Sequence, residues 1–133
     1  MILAIRTEKP EAEIALLDPI GSSVDSLIWQ AHKELSVTIL EQISNILQRN
    51  GFDFQDVSGL IVYQGPGSFT GLRIGITVAN TFAYSRQVPI VGAQGPHWIQ
   101  SGYSKIGKIG KAEIGQYVMP EYGGEANITK PRK

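Results

Sequence analysis

The chain has no cysteine at all. That excludes disulfides, thiolate zinc sites and a cysteine nucleophile, and it is compatible with a reducing cytoplasm. Histidine is nearly as scarce: His32 and His97 stand in unrelated contexts, with no pair at metal-ligand spacing. No run of about 18 apolar residues exists, so no segment reads as membrane-spanning. The apolar start, Met1 to Ile5, ends at Arg6 and Glu8 and is too short for a signal-peptide core. Charge of one sign is also missing, with 12 Lys+Arg against 12 Asp+Glu. A balanced chain lacks the clustered positive charge that phosphate binding uses, so any link to RNA is expected to be indirect.

What is present is enough for one folded domain. The 133 residues are 42% hydrophobic, an ordinary globular share. Ile2–Ile5, Ala12–Asp18 and Val24–Ala31 are apolar runs separated by short turn-forming stretches, which predicts an antiparallel meander. The period then changes. Leu35, Ile39, Leu40, Ile43, Ile46 and Leu47 recur at helical spacing, with Ser36 as the expected N-cap or, alternatively, His32–Leu35 as the helix start, and Asn50-Gly51 as the stop. Val57–Tyr63 reads as a strand, Thr70–Ser85 as a helix and Pro89–Gly92 as a last short strand, a parallel βαβαβ pattern with right-handed crossovers.

Near Gln94 the chain changes character. Residues 1–93 read as one lobe, and 94–133 as a connection and tail. The stretch to Glu113 is Gly-rich and carries a short repeat that spaces Lys105, Lys108 and Lys111 three apart, readable as linker, hairpin or exposed loop. From Lys105 to the end there are six basic and three acidic residues, a net +3 that fits a solvated tail or a partner- or RNA-contacting one.

One motif stands out: Gly65-Pro66-Gly67-Ser68-Phe69-Thr70-Gly71-Leu72-Arg73-Ile74-Gly75. Gly65, Pro66 and Gly67 let a strand turn tightly into a helix, and Ser68 and Thr70 are available to cap its first N–H groups. Such a turn is either structural or a place for an anion, since backbone donors and the helix dipole converge there. It is neither a P-loop nor a dinucleotide fingerprint. Further on, Gly71, Gly75, Ala79 and Ala83 recur every four residues and form a small-residue stripe. The stripe serves close packing inside the chain or lies at a subunit interface formed with the Leu35–Asn50 helix. Glycine inside a helix costs about 1 kcal/mol relative to alanine, so a packing reason is expected.

The segment Gly65–Gly75 closely resembles the signature of the TsaB (YeaZ) family. Ile2–Ile5 with Thr7, Ile14–Asp18, Pro89–Gly92 and the ending Ile128–Lys133 match it more loosely. The resemblance implies a single α/β lobe of the actin-like, ribonuclease-H-like fold, with a mixed sheet and helices packed on it. It also implies a role in forming threonylcarbamoyladenosine at position 37 of tRNA. The chain would be a non-catalytic cytoplasmic partner of a TsaD-like catalytic subunit, joined by a TsaE-like ATPase, or a homodimer over the same helices. ATP and metal belong to the partner subunits, and no cofactor is expected in this chain. The interface would use the two helices, with Leu35, Ile39, Ile43, Gly71, Arg73, Gly75, Ala79 and Ala83 as its candidate residues.

Two departures accompany the resemblance. Family members commonly carry Ile-Asp-Thr in the first strand, where this chain has Ile5-Arg6-Thr7. A guanidinium cannot replace a carboxylate as metal ligand; Arg6 faces either a phosphate or, as the preferred reading, solvent at a strand end. The second lobe is also nearly absent from the sequence, which reads as a natural reduction to the N-terminal lobe plus tail, favoured by the tail-like ending, or else as a truncation, and either leaves no two-lobed nucleotide cleft. Against the scaffold stand a nucleotide-binding hydrolase or peptidase, for which Ser68 lacks evident partners, and a free-standing homodimer with another binding role.

Overall fold

A computed structural model describes residues 1–67, 69–107 and 116–121. Ser68, the Lys108–Lys111 part of the repeat and the tail from 122 onward lie outside the described residues.

Five strands form one mixed sheet. The chain begins with β1 (Ile2–Arg6), β2 (Glu11–Leu17) and β3 (Ser23–Gln30), which pair antiparallel as the expected meander. Helix α1 (Leu35–Arg49) follows, then β4 (Gly59–Tyr63), α2 (Phe69–Arg86), β5 (Ile90–Ala93) and α3 (Trp98–Ile106). β4 pairs parallel to β1, and β5 parallel to β4, giving the order β3-β2-β1-β4-β5. β1 and β4 lie inside the sheet and read as unbroken apolar runs, because both faces are covered. β3 is an edge strand, and its burial alternates.

α1 and α2 pack side by side on one face. Leu35, Ile39, Ile43, Ile46 and Leu47 are the buried residues of α1. Its start follows the second of the two expected readings, with the chain from His32 leading into the helix, and Ser36 is not the cap. A 3-10 turn over His32–Glu34 runs straight into the helix, whose N-cap is Glu34. Its end is as read, and in detail a Schellman motif. Gly51 has φ +83, its N–H donates to the Gln48 carbonyl at 3.0 Å, and the Phe52 N–H donates to Leu47 at 2.9 Å. β4 begins two residues later than Val57, since Asp53 and Asp56 form a capping box around the 3-10 turn Phe54–Asp56.

The expected boundary at 93/94 is followed by a further helix. The stretch after Gln94 is not a bare connection: α3 covers β4 and β5 on the face opposite α2. Gly102 meets Ile61 so closely that a Cβ would collide with its side chain. Trp98 is buried, and Tyr103 donates to the Pro19 carbonyl at 2.9 Å. The helix is hard to read from sequence because Gly102 and two serines dilute its apolar pattern over nine residues. Residues 116–121 then return past the end of β4, at Gln64, and along α2 at Asn80. The Asn80 side chain both donates to and accepts from the Val118 backbone, at 2.9 and 2.8 Å.

Candidate functional site

The signature turn fastens the end of β1 to the start of α2. Gly65 has φ +121, a backbone conformation that favours glycine, and a Cβ there would run into the Glu121 carbonyl. The turn is held by Tyr63 Oη donating to Pro66 at 3.1 Å and by Gln94 Nε2 donating to Gly65 at 2.8 Å. Gly67 lies directly on the Glu8 side chain. Thr70 is inside the first turn of α2 rather than ahead of it as a cap.

Of the two readings of this turn, the structure supports the structural one. A carboxylate of the chain itself sits beside the turn. Glu8 is 8% exposed and takes the Arg6 guanidinium, with Nε at 3.0 Å from both oxygens and Nη2 at 2.6 Å from Oε2. The hydrogen bond to Glu8 raises the Arg6 pKa, against the opposing effect of burial. The guanidinium also lies 4.0 Å from the centre of the Tyr63 ring, which packs edge-on against Trp98. Arg6 is therefore not a solvent-facing strand end. It is clamped between a carboxylate and an aromatic face, which is how the end of β1 accommodates a cation.

The small stripe resolves the same way. A Cβ on Gly71 would strike the Thr7 carbonyl, and one on Gly75 the Thr7 side chain. Ala79 and Ala83 are buried in the core. Gly71 and Gly75 pack on Thr7, and Ala79 and Ala83 lie in the core, so the stripe packs within the chain, one of its two expected uses. Leu35, Ile39 and Ile43 are fully or almost fully buried beneath α1. Of the eight candidates Arg73 is exposed, and Gly71 and Leu35 line a hollow at the surface.

That outer surface carries apolar residues that periodicity alone places in the core or passes over. Val37 and Leu40 project from α1 at 76% and 52% exposure, and Tyr84 from α2 at 74%. Between the helices runs a groove of three adjoining hollows. The first, about 330 Å³, is lined by Leu40, Phe54, Val78 and Phe82 with Thr77 and Thr81. It shares Thr77 and Val78 with the second, which shares Thr70 and Ile74 with the third. The sequence signal is present but ambiguous: α2 is apolar around most of its circumference, so period alone does not separate a sheet-facing side from an exposed one.

The family model described as TsaD, tRNA N6-adenosine threonylcarbamoyltransferase, matches residues 29–98, which include α1, the signature turn, α2 and β5. The tRNA threonylcarbamoyladenosine biosynthesis protein TsaB of Escherichia coli K12 is 31% identical over 133 residues, covering 95% of this chain and 56% of that protein. TsaB of Bacillus subtilis 168 is 38% identical over 89 residues, covering 67% and 38%. The solved structure of YeaZ from Pseudomonas aeruginosa superposes with a TM-score of 0.64 at 27% identity, over 70% of this chain and 43% of that one. The chain belongs to the TsaB (YeaZ) family. It spans about half the length, or less, of the TsaB proteins it matches. The mixed sheet with helices on both faces is the actin-like lobe that the TsaB resemblance implies. No helix among the described residues is long and apolar enough to cross a membrane.

Proposed function

We propose that this chain serves the formation of threonylcarbamoyladenosine at position 37 of tRNA as a non-catalytic subunit, docking a TsaD-type threonylcarbamoyltransferase on the α1–α2 face. One observation carries the proposal. The family-matched segment contains both helices, and the surface they leave outward carries a groove with apolar walls and basic side chains along it, with no Asp or Glu in its lining among the described residues. Exposed apolar surface of this kind fits a protein partner. The polar chemistry beside the signature turn is consumed internally by Arg6 and Glu8, which favours a supporting role over a catalytic one. ATP and metal belong, in this reading, to the partner subunits, with a TsaE-like ATPase joining the pair and tRNA contacted indirectly.

The test is light scattering on the chain mixed with the TsaD-type subunit of the same organism, with and without the ATPase subunit and nucleotide. Wild type is expected to form a heterodimer. Val78→Asp, which places a charge in the groove, is expected to lose it while keeping the wild-type melting temperature. Absence of any complex under all these conditions would sink the proposal.

A further inference from the structure

β3 is one edge of the sheet, and its sequence carries few of the usual defences against pairing with another strand. It is eight residues long, with no lysine, proline or glycine, and its register irregularity is confined to its start, opposite Leu16 and Leu17. Val24 and Ile28 are exposed and share a face of the strand with Ser26. An open edge of this length and character is a template for a further strand. The other edge is better protected: β5 has four residues, and its Gly92 carbonyl accepts from Lys105 Nζ at 2.8 Å.

The ladder decides which groups of β3 point outward. The Ala31 N–H donates to the Pro10 carbonyl at 2.9 Å, so by antiparallel alternation Trp29, Leu27 and Asp25 turn their backbone groups toward β2. Ser26, in the middle of the strand, turns both of its groups outward. Neither is left open. The Ser26 N–H donates to Asp25 Oδ1 at 2.8 Å, and the Ser26 carbonyl accepts from Arg49 Nη2 at 3.1 Å. Arg49 also holds the Asp25 carboxylate through Nε at 2.7 Å and Nη2 at 2.9 Å, and Asn50 Nδ2 adds a bond at 2.8 Å. One ion pair, anchored at the end of α1, thus takes up the donor and the acceptor of a single edge residue.

Ser26 is also the residue about which a second copy would pair. In an antiparallel self-pair centred there, Ser26 would face its own image and exchange both backbone bonds with it. Val24 would lie opposite Ile28 of the second copy, on the exposed face. The flank of α1 beside this edge presents no like-charge barrier. The hollow there is lined by Leu27, Gln42, Asn45, Gln48 and Arg49, whose charge Asp25 offsets. We propose that the Asp25–Arg49 pair holds the β3 edge closed against a second copy of this chain, by occupying the Ser26 N–H and carbonyl that such a pairing needs. The caps leave β3 in its own sheet, since they use no group that faces β2.

The experiment is light scattering over a concentration series, comparing wild type with the double variant Asp25→Ala/Arg49→Ala. As concentration rises, the double variant is expected to move toward about twice the wild-type mass. Arg49→Ala alone frees only the Ser26 carbonyl. It is expected to move the same way at higher concentration, and it decides the question if the double variant does not fold. Ser26→Lys, added to either background, sets like charges directly opposite in the self-pair and is expected to restore the wild-type mass. Asn80→Ala, which loses its bonds to Val118 but keeps the caps at the edge, controls for lowered stability and is expected to keep the wild-type mass. The proposal is overturned if every folded uncapped variant keeps the wild-type mass at all concentrations. It is equally overturned if Ser26→Lys leaves a raised mass unchanged, or if Asn80→Ala associates as the uncapped variants do.

Discussion

Thr7 Oγ1 donates a 2.7 Å hydrogen bond to the Gly71 carbonyl, one turn of α2 before the Thr7 side chain meets Gly75. A single buried threonine at the end of β1 thus explains two glycines of the signature. Gly75→Ala would gain about 1 kcal/mol of helix propensity but push a methyl into a β-branched, hydrogen-bonded side chain with little freedom to move. Overpacking of that kind costs about 1–3 kcal/mol, so a net loss is expected in urea unfolding. In a Thr7→Ala background the obstructing atoms are mostly gone, and Gly75→Ala should become close to neutral. Gly71→Ala should stay destabilising in both backgrounds, since its obstacle is the Thr7 backbone. Equal costs for Gly75→Ala in the two backgrounds would show that the contact with Thr7 is not the cause.

The same geometry marks how far the sequence can be read. The meander, the two long helices and the parallel strands follow from period and turn chemistry, because those patterns are set locally. The motif Gly65–Gly75 is legible as a turn and a small stripe. Which surface the stripe faces is not, since that depends on Thr7, over sixty residues away in sequence. Leu35, Ile39 and Ile43 read as interface residues because an apolar helical face looks alike whether it covers a sheet or a partner. Val37, Leu40 and Tyr84 are legible only as apolar residues, and their exposure follows from the placement of α1 against α2. α3 is not legible because glycine at 102, required by the closeness of Ile61, weakens the helical signal where packing is tightest.

Residues 116–121 are joined to the lobe mainly through two amide side chains. Besides the Asn80 pair with Val118, Gln64 donates to the Met119 carbonyl at 2.9 Å and its backbone carbonyl accepts from Glu121 at 2.8 Å. Asn80→Ala removes two of these four bonds, at about 1–2 kcal/mol in total. Faster amide exchange should follow at Val118 and Glu121, with α1 unaffected. Unchanged protection at Val118 would mean that burial of its side chain, not Asn80, holds the segment.

Asp25 and Arg49 tie the edge strand to the end of α1. Arg49 Nε and Nη2 reach the two Asp25 oxygens at 2.7 and 2.9 Å, and Asn50 Nδ2 adds a third bond at 2.8 Å. The hydrogen bond from Arg49, then that from Asn50, holds the Asp25 carboxyl well below the usual carboxylate range. With the folded pKa depressed, the contribution is fully present above the unfolded value of about 3.9 and fades as pH falls through the folded value. Asp25→Asn should therefore melt below wild type at neutral pH by a constant margin. That margin should narrow once pH drops under about 4, and it should be smaller at high salt because the pair is exposed. A margin that widens on acidification would reverse the assigned sign.

Arg6→Asp introduces the acidic residue that the family resemblance implies at this strand position, and the structure predicts that it harms this chain. The new carboxylate would stand beside Glu8, which is almost buried and would lose its guanidinium donors. It would also turn negative charge toward the face of Tyr63, where the cation now lies. Hydrogen bonds to charged groups contribute about 1.5–3 kcal/mol, so a loss of at least that order is expected from chemical unfolding. Arg6→Met keeps the apolar stem and loses only the head group, so it should cost less. Adding Glu8→Gln should recover part of the loss in Arg6→Asp, because one of two crowded charges is removed, but should harm wild type by leaving Arg6 without its carboxylate. That crossover of sign is the signature of direct coupling between positions 6 and 8. Additive effects in the cycle would instead place the cost of Arg6→Asp in its stacking on Tyr63 alone.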